Sequence, residues 1–247
     1  MVSEHTVKSY DDELKNLNQI IAQMGGLAEA QLQSAIEALV RRDADLAAQV
    51  VQSDTSIDAL EHQITNLTVR MLALRQPMAQ DLREVVAALK ISSDIERIGD
   101  YAANVAKRAI ALSQTPPIQP ANGIPRMARL AQQIIKDVLD AYIEHDADKA
   151  LEVWQRDEEV DEMYTSLFRE LLTYMMEDPR NISPCTHLLF IAKNIERIGD
   201  HATNVAETVH FLVLGRPIAA LRPKGDNTSF SVVEPPAPGA KAAEAAR

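Results

Sequence analysis

The chain has 247 residues, a formal net charge of -11 at pH 7 and a sequence pI of about 5.0. This acidic balance argues against nucleic-acid binding, because neutralising phosphates requires clustered Lys and Arg. A cation or a basic protein surface is a more suitable partner. Aromatic residues make up only 4% of the chain, which favours helices over a β-sandwich or a β-barrel.

The cellular location is predicted from the single cysteine and from the hydropathy of the chain. Cys185 excludes an internal disulfide and fits a reducing compartment, where we expect it to pack in the core. The first residues lack the basic stretch and apolar core of a signal peptide. No apolar run approaches the ~20 residues that a membrane span requires. We therefore expect a soluble, cytoplasmic protein.

Apolar periodicity predicts three long helices in each half of the chain. We place them at 8–41, 44–75 and 79–113, and then at 123–144, 147–178 and 184–215. Asp43 and Asp146 stand where an N-cap carboxylate accepts backbone N–H bonds at a helix start. Proline-rich residues 115–125 form the linker between the halves. After Leu221 the prolines and the missing apolar periodicity predict a disordered tail, for which we predict no function.

A hexapeptide, Ile-Glu-Arg-Ile-Gly-Asp, occurs twice in the chain, at 95–100 and at 195–200. The repeated unit of about a hundred residues is too long for a solenoid repeat and suits a small bundle. We predict an all-α fold of two tandem three-helix bundles. The predicted domains are a first bundle at 1–114, a linker at 115–125, a second bundle at 126–221 and the tail at 222–247.

The hexapeptide combines core residues with acidic residues on opposite sides of one helix. Ile91, Ile95 and Ile98 belong to an apolar stripe with steps of three and four residues. At about 100° per residue, Glu96 and Asp100 point nearly opposite to that stripe. We therefore expect these carboxylates, and their copies in the second half, to face outward.

Four pairs of acidic residues have the four-residue spacing that places both carboxylates on one side of a helix. They are Asp54 and Asp58, Glu96 and Asp100, Asp157 and Asp161, and Glu196 and Asp200. If the second and third helices of each half lie antiparallel, two pairs converge in each half. Four convergent carboxylates suit hard cations such as magnesium, calcium, manganese or iron. Gly99 and Gly199 indicate that a metal, another helix or a partner approaches closely.

The alternative interpretation of these acids is a solvated charged surface. Arg97 is placed to pair with Asp100, Arg197 with Asp200, and Lys193 with Glu196. By contrast, the four aspartates of the second helices have no Lys or Arg three or four positions away on their own helices. They are therefore available to bind another group.

Two further function classes remain open from the residues. Glu207 and His210 have the Glu-x-x-His spacing of carboxylate-bridged di-iron bundles, which suggests a metal-dependent oxidase or hydrolase. The first half has Lys107 and Ile110 at those positions, so the pair of motifs that this chemistry uses is incomplete. The third class is a purely structural helical repeat.

The duplicated Glu-Arg-Ile-Gly-Asp, together with Arg75–Pro77, Asp81–Arg83 and Tyr174–Asp178, resembles the PhoU family, the accessory and regulatory proteins of bacterial phosphate-specific transport. The resemblance spans about 10–215, with its motifs in the right order. It implies two three-helix bundles related by pseudo-two-fold symmetry. The tail lies outside it.

The resemblance also implies a function and a set of partners. Such proteins are non-enzymatic negative regulators of the phosphate-starvation regulon. They are cytoplasmic adaptors between the phosphate ABC transporter, including its ATPase subunit, and a membrane sensor histidine kinase. The resemblance implies a homodimer that reaches the membrane only through these partners. The acidic charge predicts that it does not bind nucleic acid.

Some members of the family carry surface clusters of iron or zinc on acid-x-x-x-Asp motifs. The resemblance therefore implies iron or zinc on the eight motif acids, and the carboxylate chemistry alternatively suits magnesium or manganese. These are Asp54, Asp58, Glu96, Asp100, Asp157, Asp161, Glu196 and Asp200. No catalytic residue is predicted.

Overall fold

The structure is a computed structural model and describes residues 2–118, 122–222, 224–226 and 228, with side chains from residue 10 onward. The helices are α1 (Val2–Arg41), α2 (Ala44–Arg75), α3 (Gln80–Ser113), α4 (Ile124–Glu144), α5 (Ala147–Gln155), α6 (Asp157–Glu177) and α7 (Ile182–Leu214), with a 3-10 turn at Pro179–Asn181 before α7. Within the described residues, no helix combines the length and apolarity needed to cross a membrane. The all-helical fold of two tandem bundles is confirmed.

The turn into the second helix is built in the same way in both halves. Arg42 and His145 adopt left-handed backbone conformations, with φ of 57° and 52°. Asp43 then accepts a hydrogen bond from the Leu46 amide at 2.9 Å, and Asp146 accepts from the amides of residues 148 and 149. Both predicted N-caps are confirmed, and the Asp43 cap starts α2, the helix that carries Asp54 and Asp58.

The expected single helix over 147–178 is wrong, because the chain breaks at Arg156 into α5 and α6. The Arg156 amide donates a hydrogen bond to the Val153 carbonyl, three residues back. The guanidinium of Arg156 donates to Asp137 on α4 at 2.7 Å. Three acids then open α6 at 157–159, where negative charge is favourable at a helix N-terminus. The break places Asp157 in the first turn of a new helix.

The centre of the molecule is formed by α3 and α7, which pack against each other and against the other helices of their own halves. The isoleucines of both hexapeptides are at most 1% exposed, which confirms the predicted core stripe. A second contact between the halves joins α1 to α4, where Tyr142 donates a hydrogen bond to Asn18 Oδ1 at 2.6 Å. At the α3–α7 contact, Asp94 lies 2.8 Å from His201 Nδ1. The two motif helices are therefore joined by a polar contact as well as by their apolar stripes.

Candidate functional site

Asp54 and Asp58 of α2 and Glu96 and Asp100 of α3 form a group that we call the first acidic face. All four are partly exposed. Gln31 of α1 donates hydrogen bonds to Asp54 Oδ1 at 3.0 Å and to the Gly99 carbonyl at 3.3 Å. The carboxylates of the two helices thus lie on one surface, as the antiparallel arrangement predicts.

The carboxylates of the first acidic face repel one another. Burial raises the pKa of Asp54, the Gln31 hydrogen bond opposes that shift, and the Asp100 and Asp58 charges add to it. Burial likewise raises the pKa of Glu96, and repulsion from Asp100 adds to the effect. Arg97 pairs with Asp100 at 3.0 Å, as predicted, but leaves the face with an excess of negative charge.

The close approach predicted at the two motif glycines is made by a neighbouring helix. A Cβ added at Gly99 would lie 2.8 Å from Ile57 Cδ1 of α2. A Cβ at Gly199 would lie 3.4 Å from Val160 Cγ1 of α6. A helix thus lies against both glycines, but only at Gly99 is the approach too close for a Cβ, since the distance at Gly199 is an ordinary contact.

The equivalent acids of the second half, Asp157 and Asp161 of α6 and Glu196 and Asp200 of α7, form the second acidic face. Asp157, Asp161 and Glu196 are 2%, 3% and 5% exposed. The expectation that the acids face outward is therefore wrong for these three. Residues 222, 225 and 226, beyond the repeat, bind Asp157 and Asp161 directly and reach Glu196 through Lys193.

Arg222 carries the largest share of this covering contact. Its guanidinium donates to both carboxylate oxygens of Asp157, at 2.8 and 3.0 Å, and to Asp200 Oδ1 at 2.7 Å. It also donates to the Asp200 carbonyl at 3.2 Å and to Asn204 Oδ1 at 3.1 Å. Thr203 adds a hydrogen bond to Asp157 Oδ1 at 3.1 Å. Asp157 and Asp200 thus share the single positive charge of Arg222. Arg197, expected to pair with Asp200, lies over the ring of Tyr101.

The backbone after Arg222 completes the cover. The amides of Gly225 and Asp226 both donate to Asp161 Oδ2, at 2.9 and 3.2 Å. Lys193 bridges Asp226 at 3.0 Å and Glu196 at 2.8 Å, which confirms the predicted pairing of Lys193 with Glu196. We call residues 222, 224–226 and 228 the strap.

The expectation of disorder is wrong for the described residues of the 222–247 tail. Its described residues hold defined positions because they supply positive charge and backbone donors to buried carboxylates. The predicted disorder of residues 223, 227 and 229–247 concerns positions outside the described residues. The aspartates expected to be available on α6 are the ones that the strap binds.

Burial dominates the electrostatics of the second acidic face. Burial raises the pKa of Glu196 to about 7, against the opposing effect of Lys193. It also raises the pKa of Asp161, against the hydrogen bond from Gly225. One oxygen of Glu196, Oε2, is buried and has no hydrogen-bond partner among the described residues. The strap therefore leaves one acceptor of this face unsatisfied.

The two faces differ in how well they fit a metal ion. Within the described residues, no three His, Cys, Asp or Glu side chains are grouped as they stand to hold one. The first acidic face offers the donor chemistry of a hard cation, partly exposed oxygens under mutual repulsion. The second does not fit, because Arg222, Lys193 and two backbone amides already occupy its oxygens. A metal on the eight acids remains a prediction.

The other residues considered from the sequence, Glu207, His210 and Cys185, lie in surroundings that suit a structural role. Glu207 accepts a hydrogen bond from Trp154 Nε1 at 3.0 Å, which ties α5 to α7 and occupies an oxygen that a di-iron site would need. His210 is buried on α7. Cys185 is fully buried, as predicted, and burial raises the pKa of its thiol.

Sequence reasoning misses Arg222 and Gly225 as site residues. The prolines around them indicate a tail, and the only signal in the other direction is the positive charge of Arg222 and Lys224 just after α7 in an acidic chain. That signal is weak because basic residues are common after a helix, where they interact favourably with the negative end of the helix dipole.

The architecture and the duplicated acidic face define a two-repeat helical bundle protein. The family model described as "PhoU domain" matches residues 21–109 and 124–209, one match in each bundle. The chain belongs to the PhoU family, which confirms the resemblance predicted from the duplicated motif.

Curated relatives match along most of their length. The chain is 54% identical over 226 residues to the "Phosphate-specific transport system accessory protein PhoU homolog" of Caulobacter vibrioides, covering 91% of this chain and 98% of the relative. It is 50% identical over 230 residues to the protein of the same name from Rhizobium meliloti, covering 93% and 97%.

Solved structures share the fold. The crystal structure of PhoU from Pseudomonas aeruginosa matches with a TM-score of 0.82 and 42% identity, over 84% of this chain and all of the other. The phosphate transport system regulatory protein PhoU from Streptococcus pneumoniae matches with a TM-score of 0.79 and 29% identity, over 85% and 100%.

Proposed function

We propose that this protein is a negative regulator of the phosphate-starvation regulon. It acts as a cytoplasmic adaptor between the phosphate ABC transporter, through its ATPase subunit, and a sensor histidine kinase, and so contributes to phosphate transport and intracellular phosphate homeostasis. The observation that carries the proposal is the near full-length match to relatives named accessory proteins of the phosphate-specific transport system. The solved structure named as a regulatory protein adds support.

The adaptor works by contact, with its acidic faces as the recognition surfaces. On the first acidic face, burial and mutual repulsion disfavour the ionised carboxylates, so a basic partner that neutralises them gains binding energy there. The net charge of -11 favours association with a basic surface over the whole molecule. The protein acts as a homodimer and meets the membrane only through its partners.

A reporter strain tests this role. The variant carries Glu96→Gln, Asp100→Asn, Glu196→Gln and Asp200→Asn, which remove the charges while keeping the side-chain volumes. In a strain lacking its own copy of the regulator, we expect this variant to leave a phosphate-regulated reporter derepressed in high phosphate. The native chain should repress it.

The control variant removes four exposed acids elsewhere, at Asp12, Asp45, Glu152 and Glu170, by the same kind of substitution. It has the same net charge as the test variant and should repress normally. Normal repression by the test variant, at equal protein level and helicity, would contradict a role for the acidic faces.

A cation is a second candidate ligand for the first acidic face, favoured by its crowded, partly exposed carboxylates. Iron or zinc, or alternatively magnesium or manganese, would be held by Asp54, Asp58, Glu96 and Asp100. Calorimetric titration of the chelator-treated full chain with ZnCl2 and with MnCl2 tests this. Binding should weaken at least about tenfold on Asp58→Asn with Glu96→Gln, since two charged ligands are lost. Equal heats for both proteins would contradict the site.

A further inference from the structure

The strap contacts the second acidic face as a bound peptide contacts its receptor. The Arg222 side chain is only 17% exposed, and its guanidinium uses Nε, Nη1 and Nη2 as donors. The bidentate pair with Asp157 is the geometry that distinguishes arginine from lysine, because the planar fork matches a carboxylate. Asp157, which is 2% exposed, is therefore suited to receive a guanidinium.

Three residues further along, the face also selects for glycine. A Cβ added at Gly225 would lie 3.1 Å from Asp161 Cβ and 3.4 Å from the Glu158 carbonyl oxygen. This tight approach brings two successive amides, of Gly225 and Asp226, to one oxygen of Asp161. A larger residue at 225 would push the backbone away from that oxygen. The contacts thus describe a pattern, Arg-x-x-Gly, rather than general attraction between charges.

One acceptor of the face is not used by the strap. Glu196 is 5% exposed, and its Oε2 is buried with no hydrogen-bond partner in the described part of the chain. A buried unsatisfied acceptor costs free energy, and a ligand with one more donor than the strap would remove that cost. The face is therefore able to bind a related segment more favourably than it binds its own.

The first acidic face has acids of the same types in the same order, but no arginine from beyond the repeat contacts it among the described residues. Its bound groups are the Gln31 amide and Arg97 of its own helix, and its glutamate is partly exposed. The duplicated motif alone therefore does not create the arginine site. The strap contacts are specific to the second half.

We propose that the second acidic face is a recognition site for an arginine-bearing peptide segment of the Arg-x-x-Gly type, and that the strap occupies it in cis and closes it to a partner's segment. A tethered segment competes at an effective concentration in the millimolar range for a short linker. Release of the strap is thus the step that opens the site. The proposal goes beyond the adaptor role and is tested on purified protein, so a failure of the reporter experiment leaves its test intact.

The test is binding of a fluorescently labelled peptide with the sequence of residues 220–229 to the full chain, followed by fluorescence anisotropy. Arg222→Gln in the protein releases the strap, so this variant should bind the peptide at least about tenfold more tightly than the native chain. Gly225→Val releases the strap by a different route and should open the site in the same way. Lys224→Gln removes an exposed charge of the same sign and should behave like the native chain.

Substitutions in the peptide and in the second acidic face provide the specificity controls. A peptide with Gln in place of its arginine should fail to bind the Arg222→Gln protein, and so should the native peptide when Asp157→Asn is added. Equal affinity of the native and Arg222→Gln chains would overturn occupation in cis. Absence of peptide binding to both opened variants, with their helicity unchanged, would overturn recognition of the segment.

Discussion

Glu96 and Glu196 hold the same position in the same hexapeptide, yet their side chains are 23% and 6% exposed. The helices beneath them are alike, with isoleucines in the core and a glycine against the preceding helix. The second face is covered by the strap, which lies outside the repeat and is linked to Glu196 through Lys193. Duplication therefore conserves the scaffold of a site, while its accessibility is decided by residues that are not duplicated.

The largest expected effect tests whether the two scaffolds are equivalent. Ile95→Ala and Ile195→Ala each remove a core side chain that is at most 1% exposed, so each should lower the free energy of unfolding by about 2–5 kcal/mol. Urea denaturation followed by circular dichroism measures both. If the two losses of unfolding free energy differ by more than about half of the larger loss, the two cores are not packed equivalently.

An intermediate effect should separate the two faces. Asp157→Asn breaks the charged pair with Arg222 and should cost about 1–3 kcal/mol of stability. Asp54→Asn retains an acceptor for Gln31. It removes the cost of burying a charge and the repulsion from Asp58 and Asp100, so it should be neutral or slightly stabilising. Thermal unfolding of the two variants side by side provides the comparison. Equal destabilisation by both would indicate that the strap contributes nothing at Asp157.

The smallest effect concerns the two glycines. Gly199→Ala meets Val160 at an ordinary contact distance and gains helix propensity, so it should stabilise the protein by up to about 1 kcal/mol. Gly99→Ala must displace Ile57, which offsets that gain. Denaturation midpoints at equal slope give the order of the two variants. A more stable Gly99→Ala would mean that α2 lies further from α3 than the contacts indicate.

The parts of the fold that sequence predicts correctly depend on short-range patterns. The isoleucine stripe follows from helical periodicity, the Asp43 and Asp146 caps from local side-chain bonds, and the Arg97 pair from three-residue spacing. The break at Arg156 carried a local signal, the acidic residues 157–159 that favour a helix start, but no glycine or proline.

Burial of the second acidic face depends on a contact of a different kind. Arg222 binds Asp157 across 65 positions of the chain, and no periodicity links the two residues. The strap consists of polar and helix-breaking residues whose composition resembles that of a disordered tail. Its position is determined by contacts with Asp157 and Asp161, and the same contacts help to cover these carboxylates. Such mutual dependence is not visible in either segment alone.

Carboxylate footprinting tests the difference between the faces most directly. The native full chain is treated briefly with a carbodiimide and glycine ethyl ester, and the modified residues are located by mass spectrometry. Asp58 and Glu96 should react readily, Asp157, Asp161 and Glu196 should be protected, and Arg222→Gln should remove that protection while Lys224→Gln leaves it intact. Similar modification of both faces in the native chain would contradict the account.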